Sequence, residues 1–174
     1  MQYRGIDIHK PAVINAKLTM KWLGVEHKVD IIESDLFEKL AGEKFDVIFF
    51  FPPGAQSEFS FSSTRKMVAE FEDIKYEALL HKLFSQLELY LNKSGMLYLV
   101  VLKNDTFMYQ MFEKYHMQAD IVASHSSLGW DNFDIYAVRP FARDKEGERG
   151  TRSPYYPALD FKKKPEKNHT EIFI

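Results

Sequence analysis

Four groups of residues in this chain carry the functional groups for binding or catalysis. Two are lone carboxylates: Asp7 in Gly5-Ile6-Asp7-Ile8, and Asp35 in Ser34-Asp35-Leu36-Phe37. The third is the corner Phe51-Pro52-Pro53-Gly54, and the fourth is His125 among Ser124, Ser126 and Ser127. A carboxylate before a helix or turn accepts hydrogen bonds, either from the backbone of that turn or from a ligand's donors. For Asp7 and Asp35 both roles stay open. Prolines donate no hydrogen bonds and fix their backbone, so the Pro-Pro-Gly corner is a stiff surface able to line a site. A serine beside a histidine suggests a nucleophile, but the sequence supplies no orienting acid. The polarity of a hairpin loop accounts for these residues more simply.

Other chemistries are disfavoured by composition. The 174 residues include no cysteine, which removes disulfides, thiolate metal sites and cysteine nucleophiles. The six histidines, at 9, 27, 81, 116, 125 and 169, lack ligand spacing, and no metal site is expected. A formal charge of −2 argues against a chain that coats nucleic acid through general basicity. No apolar run reaches the roughly 18–20 residues of a membrane helix, and Met1-Gln2-Tyr3-Arg4-Gly5 lacks the pattern of a signal peptide. A cytoplasmic, membrane-free location is the expectation.

These groups need elements to hold them. Tyr3 to Ile8 reads as a strand, and Pro11 suits the first turn of a helix whose face is Ala12, Ala16, Met20 and Leu23, stopped by Gly24. Val29 to Glu33 is a second strand. Phe45 to Phe51 is a third, apolar enough to be buried on both faces and ended by the prolines. Residues 54 to 70 form a polar loop carrying Phe59 and Phe61. Tyr76, Leu79, Leu80, Leu83, Phe84, Leu87, Tyr90 and Leu91 follow helical spacing for four turns, with Gly95 available for a left-handed cap. Met96 to Leu102 is a fourth strand. A helix with Phe107, Met108, Met111, Phe112 and Tyr115 follows, then antiparallel strands Asp120 to Ser124 and Phe133 to Arg139. The alternation predicts an α/β domain over residues 1–141, a doubly wound, mostly parallel sheet with a C-terminal antiparallel strand pair. Residues 142–174 read as a charged, flexible tail. Its Arg143 to Lys167 stretch holds eight basic and five acidic residues. Lys162-Lys163-Lys164 near Tyr155, Tyr156 and Phe161 could touch phosphates and bases, but a solvated tail is the simpler reading.

In order and spacing these residues resemble the class I S-adenosylmethionine-dependent methyltransferases, in particular the small methyltransferase domain group, over about residues 3 to 140. The segments that match are Gly5-Ile6-Asp7-Ile8, Ser34-Asp35-Leu36-Phe37, Asp46-Val47-Ile48 leading to Pro52-Pro53, Leu91 to Leu99, and Phe133-Asp134-Ile135-Tyr136. The resemblance implies a Rossmann-like fold and S-adenosylmethionine as cofactor. It implies Asp7, with Ile8 beside it, at the ribose hydroxyls. Asp35 would face the adenine amino group, with Leu36 or Phe37 packed on the ring. Phe51, Pro52, Pro53 and Gly54 would floor the acceptor site. RNA or a translation protein is the implied substrate class, with small molecules open. The competing reading is a non-catalytic module that binds RNA or a partner protein, with Phe51 filling a dead pocket.

Two departures qualify the match. The family's Asn or Asp before Pro-Pro is Phe51 here and its following aromatic is Gly54, so side-chain capture of an amine is lost and only the Phe51 and Pro52 carbonyls remain for it. The family also opens with a strand and a glycine-rich turn that holds the methionine part of the cofactor. Here the chain is expected to open at the family's second strand, with the first strand missing, and since Gly5 is the only glycine before Gly24 no such turn is expected either. The expectation is a gap of roughly 10 Å in the sheet and weak or absent cofactor binding. Three explanations are open: a chain that lacks its start, which ranks first; a strand lent by a partner chain; or a rearranged sheet with Thr170 to Ile174 as filler.

Overall fold

The computed structural model describes residues 2–52, 76–102, 106–127, 130–141 and 170–173. Along the chain run β1 (Gln2–Asp7), α1 (Lys10–Trp22), β2 (Val29–Glu33), β3 (Phe45–Phe50), α2 (Tyr76–Tyr90), β4 (Leu91–Leu102), α3 (Thr106–Lys114), β5 (Met117–Ser127), β6 (Trp130–Pro140) and β7 (Thr170–Phe173). The strands make one sheet in the order β2-β1-β7-β3-β4-β6-β5. The pairs from β2 to β4 are parallel, and β6 runs antiparallel to both β4 and β5. This is the doubly wound sheet with its antiparallel pair that the sequence predicts.

The apolar stripe of α2 builds the main core. Leu80, Leu83, Phe84 and Leu87 are buried, as are Met108, Met111 and Phe112 of α3, against Ile48, Phe50, Leu97, Leu99 and Val138 of the sheet. Each such side chain contributes about 1.5–3 kcal/mol by leaving water. Alternation along the strands puts Ile6 on this face and Gly5 on the other. The latter is level with Ile31, which with Val13 of α1 is buried outside the main core. The two helical layers therefore lie on opposite faces. In β3 burial is uneven: Phe45 and Ile48 are 0% and Phe50 4% exposed, while Asp46, Val47 and Phe49 are half-buried.

Helix α1 has Pro11 in its first turn, as expected. It ends in a Schellman arrangement. The Gly24 N–H donates to the Lys21 carbonyl, the Val25 N–H donates to that of Met20, and Gly24 sits at φ 68°. Ala12, Ala16 and Met20 are half-buried, but Leu23 lies past the last helical residue and is 54% exposed.

Gly95 does not cap α2. Strand β4 begins immediately after Tyr90, and Gly95 lies inside it, in a register shift where Phe45 pairs with Leu91 but Val47 with Met96. A Cβ on Gly95 would stand 2.7 Å from the Phe45 carbonyl oxygen, so glycine is needed here for close backbone approach rather than for a left-handed turn.

The expected gap is filled. Strand β7 lies between β1 and β3, parallel to both, with Ile172 opposite Arg4 and Ile48, and Phe173 opposite Gly5 and Phe49. The sheet therefore has a strand at the place where the first one was expected to be missing. Segment 142–174 returns to the sheet at its end, and residues 142–169 lie outside the described residues.

Candidate functional site

In an open α/β sheet, ligands bind beyond the carboxyl ends of the strands, at the point where the strand order reverses. Here that point is the line β1-β7-β3. Asp7 stands two residues beyond Gly5, and Phe51 two residues beyond Phe49, and both reference residues are level with Phe173. The two candidate residues thus reach the same height on either flank of β7. They are separated by two strand spacings, about 10 Å.

Asp7 closes β1 and is exposed. Its Oδ1 accepts the His9 N–H at 2.7 Å and its backbone carbonyl accepts the Ser34 N–H at 3.0 Å, which ties the ends of β1 and β2 together. His9, not Asp7, is the N-cap residue of α1, and its side chain makes no capping bond. A carboxylate offers about four lone-pair sites. One is used here, and Oδ2 has no partner among the described residues. Ile8 follows at 47% exposure.

Asp35 begins the turn after β2. Its Oδ2 accepts a hydrogen bond from Lys82 Nζ of α2 at 2.6 Å, and the same ammonium donates to Glu38 Oε1 at 2.6 Å. Burial, the largest single effect on Lys82, favours loss of its proton. The two carboxylates together outweigh it and hold the ammonium above its usual range. Leu36 adopts φ 48°, a left-handed conformation unfavourable for a residue with a Cβ. It is 4% exposed and belongs to the core, as does Phe37, which stacks on Tyr90 at 4.3 Å. The ring contact expected of Leu36 or Phe37 therefore has no exposed side chain behind it. Buried Ser34 closes the turn, its hydroxyl donating to the Leu36 carbonyl at 3.0 Å and accepting the Lys39 N–H at 3.1 Å.

On the other flank, Phe51 is 68% exposed and Pro52 buried. Phe51 fills no pocket. Beneath it Phe49 stacks on Tyr98 with ring centroids 5.2 Å apart, and burial pushes the Tyr98 phenol above its usual pKa. Pro53, Gly54, Phe59, Phe61 and the Lys162–Lys164 run with its aromatics lie outside the described residues.

At the same edge, Ser124 donates to the buried carboxylate of Asp134 across β5 and β6. An acid does meet this serine, but His125 turns away and stacks on Phe133 at 5.1 Å, so no Ser-His-Asp relay forms. Among the described residues no three His, Asp or Glu side chains gather as metal ligands, and no helix is long and apolar enough to cross a membrane.

Lys82 and Asp134 are the site neighbours that sequence reasoning missed. Lys82 borders the apolar stripe of α2 and reaches a carboxylate 47 residues away, for which no local pattern exists. Asp134 was visible only as part of a strand.

No protein-family model matches the sequence, and no curated protein matches it. Solved structures do match in fold. A methyltransferase from Pyrococcus furiosus superimposes with a TM-score of 0.55 at 17% identity, over 78% of this chain and 62% of that one. Ribosomal protein L11 methylase from Lactobacillus delbrueckii subsp. bulgaricus gives 0.53 at 14%, over 80% and 57%. Precorrin-6y C5,15-methyltransferase from Geobacter metallireducens GS-15 gives 0.52 at 11%, over 80% and 66%. The chain spans less than two thirds of the length of each. With the strand order, the switch point and these superpositions together, the chain has the fold of the class I S-adenosylmethionine-dependent methyltransferases.

Proposed function

We propose that the crevice across β1, β7 and β3 binds S-adenosylmethionine and that the chain transfers its methyl group to an acceptor held beside Phe51. The observation that carries this reading is the placement of β7. With the strand between them in place, Asp7 and Phe51 follow strands of one continuous sheet at the switch point instead of flanking a hole in it. When bound, the cofactor would supply an electrophilic methyl group on a sulfonium.

The chain's own residues would bind and orient. Asp7 has lone pairs left for the two hydroxyls of a ribose. Asp35 Oδ1 has no partner among the described residues and suits the amino group of adenine. The apolar contact expected of Leu36 falls instead to Ile8. Phe51 offers a flat exposed surface, which favours an acceptor with a planar ring, an RNA base before a protein side chain or another small molecule. The carbonyls of Phe51 and Pro52 would hold its donors. Catalysis of this kind rests on proximity and orientation. A cytoplasmic location goes with such an acceptor.

The non-catalytic reading draws on one observation, that Phe51 has no polar atom where the family places one. Incubation of the full chain with methyl-labelled S-adenosylmethionine and RNA, or with ribosomal protein, separates the two. Label transferred to RNA and lost in Phe51→Ala supports the enzyme. Cofactor binding without transfer to either acceptor supports the module.

A further inference from the structure

We propose that Lys82 of α2 is a positioning residue for recognition of the adenine base. It would fix Asp35 so that the free carboxylate oxygen meets the exocyclic amino group. The inference rests on the reading above that Asp35 faces the adenine, and it adds the residue that makes that contact selective.

Three features of the 34–39 turn argue for a built platform rather than a chance surface pair. Lys82 Nζ engages one oxygen of Asp35 only, at 2.6 Å, and spends a second proton on Glu38 at the same distance. This anchoring from two sides restricts the long lysine side chain, which as a lone exposed partner would contribute little. The backbone is also held in an unfavourable state. Leu36 keeps φ 48° while its side chain is buried, and Ser34, 3% exposed, bonds across the turn to Leu36 and Lys39. A non-glycine residue in this region costs on the order of 1–3 kcal/mol and persists only where its surroundings over-determine it. Finally, the Lys82 bond consumes Oδ2 and orients the plane of the carboxyl group, leaving Oδ1 as the acceptor.

A carboxylate so held accepts an N–H and repels a carbonyl oxygen. The site would therefore distinguish a 6-amino purine from a 6-oxo purine, and Lys82 would set the size of that distinction.

The test is calorimetric titration of the full chain with S-adenosylhomocysteine and with its inosine counterpart, in which a carbonyl replaces the 6-amino group. A charge-assisted hydrogen bond is worth roughly 1.5–3 kcal/mol, so the wild-type chain should prefer the adenine form by about ten- to a hundredfold. Lys82→Ala should reduce the preference to a few-fold through loss of adenine affinity, with inosine affinity unchanged. Lys82→Arg should restore most of it, and Asp35→Asn should abolish it. A merely structural Lys82 would weaken both ligands together and leave the ratio intact, which overturns the proposal while sparing the role of Asp35. Equal binding of both ligands by the wild-type chain overturns the role of Asp35, and the proposal with it. Binding of neither overturns the cofactor reading itself.

Discussion

Phe173 stands opposite Phe49 in parallel register, although the two come from opposite ends of the chain. That pairing closes the sheet between β1 and β3, and it leaves the two strand ends on either flank of one strand. A four-residue strand thus decides whether Asp7 and Phe51 belong to the same site.

Replacing Ile172 by proline tests the contribution of β7. Ile172 lies between Arg4 and Ile48, in a strand with neighbours on both sides. Proline removes a ladder donor and does not fit a central strand. Urea unfolding should show a loss of at least about 2 kcal/mol. An unchanged midpoint would mean that β7 contributes nothing to the sheet.

Gly95→Ala should be costly for a position in the middle of a strand. The added methyl would meet the Phe45 carbonyl oxygen at 2.7 Å and the Asn92 nitrogen and oxygen at 3.0 Å, all backbone atoms that cannot rotate away. Overpacking of this kind costs about 1–3 kcal/mol. Equal thermal stability of the variant and the parent would show that the register shift relaxes freely.

Much of this architecture is legible in the sequence, and the failures share one physical cause. The α2 stripe, the Schellman end at Gly24 and the antiparallel β5–β6 pair are local patterns, and each forms as expected. Gly95 was misread because a glycine after a helix usually caps it. Leu91, 4% exposed, instead starts β4 at once against Phe45. Thr170–Phe173 is a short run after a charged stretch whose two partners lie far away in sequence, so the sequence offers it as the filler of the gap but ranks a chain lacking its start first. Leu36 and Phe37 follow an acidic residue as adenine-contacting residues would, yet the hydrophobic core claims them both. Asp7 is legible as a carboxylate that accepts a backbone N–H of the turn after it, although the sequence does not single out His9 as the donor.

Leu36 gives a prediction in which two effects oppose. Truncation of a buried leucine to alanine costs about 2–5 kcal/mol. Glycine loses slightly more volume but removes the penalty of the left-handed backbone at φ 48°, about 1–2 kcal/mol. Leu36→Gly should therefore be no less stable than Leu36→Ala, the reverse of the order in an ordinary strand or helix. Denaturant titration of both variants reads this directly, and a clearly less stable glycine variant would refute the strain.

Stability should fall on the alkaline side. The folded chain raises the Tyr98 phenol above its ordinary 10.0 by burial. It also raises the Lys82 ammonium above 10.5, the carboxylates outweighing burial. Both groups hold their protons more tightly folded than unfolded, so their contribution is full below about pH 10 and is lost as pH rises toward the folded values. The urea midpoint should decline above pH 10, less steeply in Tyr98→Phe. A flat profile through pH 11 would contradict both shifts.

The central claim is that the crevice between Asp7 and Phe51 holds S-adenosylmethionine, and titration calorimetry with S-adenosylhomocysteine tests it most directly. The full chain should bind one equivalent with roughly micromolar affinity. Asp7→Asn keeps an oxygen for the His9 N–H but loses the charge, so it should stay folded and bind at least tenfold more weakly. A well-folded chain that gives no binding heat, or an Asp7→Asn variant that binds as the parent does, would contradict the account.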